Sequence, residues 1–152
     1  MKIGEALALI KAKKGYIASQ YELLNEQMHY EVGKKPDFDA HEIIDNIEKT
    51  ERELRQLKLS VAIANMEKKL DNEMSLAEAI IYIGDLRSKI GQMSKAAKNP
   101  HRGRLYYDVD EKRIEYVPQI HPKEIDNRVR ELEAEKRKLD AELQKANWKL
   151  EV

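Results

Sequence analysis

Residues 40–64 read AHEIIDNIEKTERELRQLKLSVAIA. Within them Ala40, Ile43, Ile47, Thr50, Leu54, Leu57, Val61 and Ala64 recur at alternating steps of three and four, and charged residues fill most of the places between. Side chains three and four apart share one face of an α-helix, and a seven-residue repeat of this kind is the seam along which one helix lies on another. The stretch predicts a long helix that needs a partner along its whole length. It frays through Lys68 and Lys69 into LDNEM.

The same pattern appears on either side. Ile3, Leu7, Ile10, Ile17, Tyr21, Leu24 and Met28 form a first seam, with Lys14 in the one missing place. That argues for a helix of roughly 28 residues, about 40 Å long, ended by Gly33 and Pro36 in the loop EVGKKPDFD. A third helix opens at Ser75-x-x-Glu78, the spacing of a capping box, and continues through Leu76, Ala79, Ile83, Leu86, Ile90 and Met93. The fourth begins at His121-Pro122, proline suiting a first helical position. It runs through Ile125, Val129, Leu132, Leu139, Leu143 and Ala146, broken by Lys136. Between the third and fourth helices, RLYYDVDEKRIEYVPQ places β-branched and aromatic residues around a polar turn, so a short β-hairpin is expected across 105–117. The expected fold is all-α: four long heptad-patterned helices in two antiparallel helical hairpins, with that β-hairpin inserted, in one domain spanning 1–152.

The halves echo one another. Glu5-Ala6-Leu7, Ile10 and Ile17 match Glu78-Ala79-Ile80, Ile83 and Ile90 at one constant separation, and Ala64-Asn65 recurs as Ala146-Asn147. Helix starts share apolar spacing by default, so duplication of a hairpin, 1–70 against 74–152, is left open.

Composition narrows the function classes. Of 152 residues, 37% are charged and the charges cancel, which gives no global pull toward nucleic acid or an anionic membrane. With no cysteine there is no disulfide, thiolate nucleophile or cysteine-held metal. The apolar runs AIIYI (79–83) and VAIA (61–64) fall far short of the ~18 residues that cross a bilayer. In MKIGEALALIKAKKGY the lysines follow the apolar stretch, against the order of a signal peptide, so a cytoplasmic protein is expected.

The segments MKIGEALALI, SLAEAI, RIEYV and ANWKLEV resemble those of a family of small bacterial proteins of unknown function, some labelled septicolysin. The resemblance covers the whole length and implies the helical fold. The label implies a membrane-active cytolysin, and no catalytic residue comes with it.

Several surfaces are candidates. Leu9, Tyr16, Leu23 and Tyr30 make a second period-seven stripe on the first helix, and Ala77, Gly84 and Gly91 make a small-residue face on the third. A glycine inside a helix costs about 1 kcal/mol relative to alanine, so close helix approach along that face is a reason for it. Both surfaces are candidate oligomer interfaces. The stretch 87–107 has no acidic residue, and Arg87, Lys89, Lys95, Lys98, Arg102 and Arg104 with Tyr106 and Tyr107 could track phosphates and stack on bases. Glu5, Asn65, Glu78, Asn147 and Trp148 should gather at one end of the helices, where capping explains them and a small ligand pocket is the alternative. Glu26-x-x-His29 with His41 and Asp45 has metal-pair spacing, but di-iron bundles need two such pairs, so neither metal nor other cofactor is expected. Lys14 and Lys136 interrupt seams and could fix register or partner choice. No phosphate loop, nucleophile elbow or zinc-protease motif is present, and no residue takes a catalytic role. The expected function is a non-catalytic, self-associating coiled-coil-like scaffold or adaptor, its partner a second copy of itself. The rivals are the cytolysin and a nucleic-acid binder.

Overall fold

The computed structural model describes residues 1–98 and 114–152. They contain four helices, α1 (Ile3–Gln27), α2 (Ala40–Glu67), α3 (Leu76–Ala96) and α4 (Pro122–Lys149), and no strand beyond isolated bridges. Of the hairpin expected at 105–117, residues 105–113 lie outside the described ones, and 114–117 form no strand. Ile114 and Val117 are exposed there, and a short extended segment needs more than exposed apolar groups to hold a ladder.

The helices divide between two compact units, Met1–Glu78 with Leu143–Val152, and Ala79–Glu142. In the first, α1 packs on α2, with Lys13 Nζ 2.6 Å from Glu53 Oε2 and the Tyr21 hydroxyl donating to Glu51 at 3.3 Å. α2 keeps the seam that its sequence predicts: Ile43, Ile47, Leu54, Val61 and Ala64 are buried, and Ala40, Thr50 and Leu57 are half-buried. Asp39 caps it by accepting the His41 N–H at 2.9 Å. Gly33, at φ +85°, turns the loop between α1 and α2 through left-handed backbone that glycine adopts without strain.

The expected seam of α1 is corrected. Ile3, Ala6, Ile10, Lys13, Ile17, Gln20, Leu24 and Gln27 form the covered face, while Leu7, Lys14, Tyr21 and Met28 are exposed. The helix is rotated by one position at every second step, because Ile3 and Ala6, both at 0% exposure, anchor its start. Lysine and glutamine at 13, 20 and 27 cover apolar surface with their stems, so the polarity of the sequence hides this face.

In the second unit, Ile83, Leu86, Val129, Leu132 and Leu139 are buried and Ile90, Met93, Ile125 and Lys136 are half-buried, as their spacing predicts. The Tyr82 hydroxyl donates to Glu135 Oε1 at 2.5 Å, and that bond is the leading cause of a raised phenol pKa. α4 starts at Pro122, where His121 Nδ1 accepts the Lys123 N–H at 3.1 Å.

Candidate functional site

Two helix junctions lie in the first unit. At one, the chain end returns to the start of α1: Ile3 N–H donates to Leu150 O at 3.0 Å, and Val152 N–H donates to Met1 O at 3.1 Å. At the other, Leu76 N–H donates to Lys68 O at 3.1 Å, and Leu70 N–H to Met74 O at 2.8 Å. Each has its own antiparallel bridge, Lys2 with Glu151 and Lys69 with Ser75. Ala146 and Ala64 carbonyls close the preceding helices by accepting from Leu150 and Lys68, both at 2.8 Å. Ile3 and Leu76, the first helical residue at each junction, are both fully buried.

The residues expected to gather here serve mainly as caps. Glu5 accepts the Lys2 N–H at 2.8 Å, and Glu78 donates its backbone N–H to Ser75 Oγ at 3.1 Å. Lys2 Nζ reaches Lys149 O and Glu151 Oε1, each at 3.0 Å, which places a cation where the last turn of α4 leaves carbonyls open. That ammonium holds the Glu151 carboxyl below its ordinary value, by hydrogen bond first and charge second. Trp148 lies flat on Gly4: a Cβ there would stand 2.9 Å from Cδ2 and 3.0 Å from Cε2 and Cε3. The indole is nonetheless 61% exposed. Asn147 is buried, and Asn65, its counterpart at the other junction, is half-buried.

The other candidates are scattered. Along α1 Leu9 and Tyr16 are exposed and Leu23 is half-buried, so the second stripe stands open beside the face that meets α2, but Tyr30, expected on it, lies beyond the end of the helix at Gln27 and is exposed. Ala77 is half-buried, whereas nothing lies within 4 Å of a Cβ built on Gly84 or Gly91. Among the described residues, nothing packs against the small face at those two glycines. Lys95 and Lys98 stand at and just past the end of α3, while Arg102, Arg104, Tyr106 and Tyr107 lie outside the described residues. Among the described residues no three of His, Asp and Glu could hold a metal ion, and no helix is long and apolar enough to cross a membrane. Reading the sequence missed one surface altogether. Leu59, Ile63 and Met66 of α2 are exposed at 61%, 47% and 74%, at a three-and-four spacing that was already in the text.

A family model described as a family of unknown function (DUF6847) matches residues 15–152. A crystal structure of a functionally unknown conserved protein from Corynebacterium diphtheriae is similar with a TM-score of 0.83 and 25% identity, over 100% of this chain and 98% of that one. No curated protein matches. The resemblance read from the segments is thus to relatives whose role is itself unknown, and by the match over most of its length this chain belongs to the DUF6847 family.

Proposed function

We propose that this protein is a non-catalytic, self-associating scaffold or adaptor, built of two antiparallel helical hairpins that assemble in coiled-coil fashion. The observation that carries the reading is α1. Beyond Ala6 it has no fully buried residue, yet Leu7, Leu9, Tyr16, Tyr21, Met28 and Tyr30 are exposed near or along its length. Single exposed apolar residues are ordinary, whereas two rows of them, one on each flank of the covered face, mark contact surfaces.

A second copy is the occupant that fits. Stripes repeating every seven residues match the pitch of another helix, and the α1 stripe repeats with the period that already joins α1 to α2. Gly84 and Gly91 supply a further face where a neighbouring backbone could come close. Closed two-fold assemblies pair like surfaces, so one stripe can serve both partners. Light scattering after gel filtration tests this. The parent chain should elute as a multimer, and Leu9→Glu with Leu23→Glu should reduce the particle mass. A monomeric parent, or a double variant of unchanged mass, removes the reading.

A further inference from the structure

Two open grooves, one in each unit, share four corresponding lining residues, while Leu54 matches Lys136 and Lys58 matches Asp140. The first, between α1 and α2, has a cavity volume of about 450 Å³ and is lined by Lys14, Ile17, Glu51, Leu54, Arg55 and Lys58. The second, between α3 and α4, has about 330 Å³ and is lined by Arg87, Ile90, Glu133, Lys136 and Arg137. The separation that relates Glu5 to Glu78 also relates Lys14 to Arg87 and Ile17 to Ile90. The separation that relates Ala64 to Ala146 also relates Glu51 to Glu133, Leu54 to Lys136 and Arg55 to Arg137. A cation and an isoleucine from the first helix face a glutamate and an arginine from the second, twice. The two lysines that interrupt the apolar spacing of the sequence, Lys14 and Lys136, both line these grooves, although the covered face of α1 carries Lys13 in place of Lys14.

Charge in the grooves is not balanced, although it is balanced over the chain. Each has three cationic side chains against one carboxylate. In the first, Glu51 accepts from the Tyr21 hydroxyl. Among the described residues Lys14, Arg55 and Lys58 enter no ion pair, and neither do Arg87 and Arg137, while Lys136 is held by Asp140 at 3.0 Å. Cations that outnumber their counter-charges repel one another, and an anion between them reduces that cost. An arginine fork with a second cation opposite suits the oxygens of a phosphoryl group. A water occupies about 30 Å³ in the liquid, so either volume exceeds that of a phosphate and its first waters. The apolar floor, Ile17 with Leu54 or Ile90 alone, excludes water from beneath the contacts.

From this recurrence we propose that each unit carries an oxyanion-binding groove for the phosphate groups of a small phosphorylated molecule, Arg55 serving one and Arg137 the other. The proposal does not depend on self-association, because each groove is formed within one chain.

Isothermal titration of the full chain with inorganic tripolyphosphate at low salt tests it, with inorganic phosphate as the weaker probe. Two equivalents should bind per chain, less tightly as salt rises. Arg55→Gln should remove one equivalent and Arg137→Gln the other, each groove weakening about tenfold or more, which corresponds to about 1.4 kcal/mol. The double variant should bind none, at unchanged helicity by circular dichroism. Arg52→Gln, whose parent residue pairs with Glu48 outside the groove, should leave both equivalents. No heat at millimolar probe overturns the proposal. So does binding that survives the double change, or an equal loss from Arg52→Gln.

Discussion

Gly4 shows how one missing side chain sets a local structure. The indole of Trp148 occupies the space that a methyl group would need. Gly4→Ala must displace the ring or shift the start of α1, and overpacking of this sort costs about 1–3 kcal/mol. The urea midpoint should fall and Trp148 emission should move to longer wavelength. Glu151 adds a pH dependence. Its folded pKa lies below the ordinary carboxylate value because the Lys2 ammonium donates to it. The stabilisation is therefore complete above the ordinary carboxylate value and is lost as pH falls through the lower, folded one. Trp148 fluorescence followed from pH 6 downward should change at acid pH in the parent, and Lys2→Met should move that change upward. Asn147 is the third case. It is buried at 7% exposure, and its side chain has no hydrogen-bond partner among the described residues. A buried amide without a partner costs about 1–3 kcal/mol, so Asn147→Leu should raise the urea midpoint. A fall would show that water or a ligand bonds the amide.

Among the helices, ends and seams were unequally legible. Asp39 stands directly before the periodic residues of α2 and accepts the His41 N–H, so Asp39→Ala should lower stability by about 1 kcal/mol in urea denaturation. Ser75 and Pro122 marked the starts of α3 and α4 as plainly. The seams of α2, α3 and α4 could be read residue by residue, because in each the apolar row at three-and-four spacing runs the length of the helix, whereas extra apolar residues such as Leu59, Ile63 and Met66 are confined to part of it. α1 has apolar residues on both flanks of its covered face, at Leu7 and Met28 on one side and Leu9 and Tyr16 on the other. Periodicity alone then selects the more apolar flank. What placed the helix was the burial of Ile3 and Ala6 against distant segments, which no local pattern announces. The grooves were half legible. Lys14 and Lys136 stood out as interruptions, but Arg55 and Arg137 looked like ordinary charges on solvated faces until the helices were paired.

For the molecule as a whole, the exposed stripes are the surfaces a second copy would cover. Gly84 distinguishes the alternatives. With no neighbour among the described residues near its Cβ position, Gly84→Ala should stabilise an isolated chain by about 1 kcal/mol through helix preference alone. If a second copy approaches that face, the added methyl group also crowds the partner. Sedimentation over a dilution series should then show weaker assembly despite a more stable helix, and that is the expected result. Improved stability with unchanged assembly would remove the α3 face from the interface and leave α1 to carry it.

The bond from Val152 to the carbonyl of Met1 brings residues 1 and 152 side by side. A ring could therefore be made by joining them through a few glycines, at little entropic expense, since the gap to be spanned is already closed. Reopening such a ring beside Gly33, in the turn between the first two rods, would yield a permuted chain that begins with α2 and finishes with α1, with the same set of neighbours.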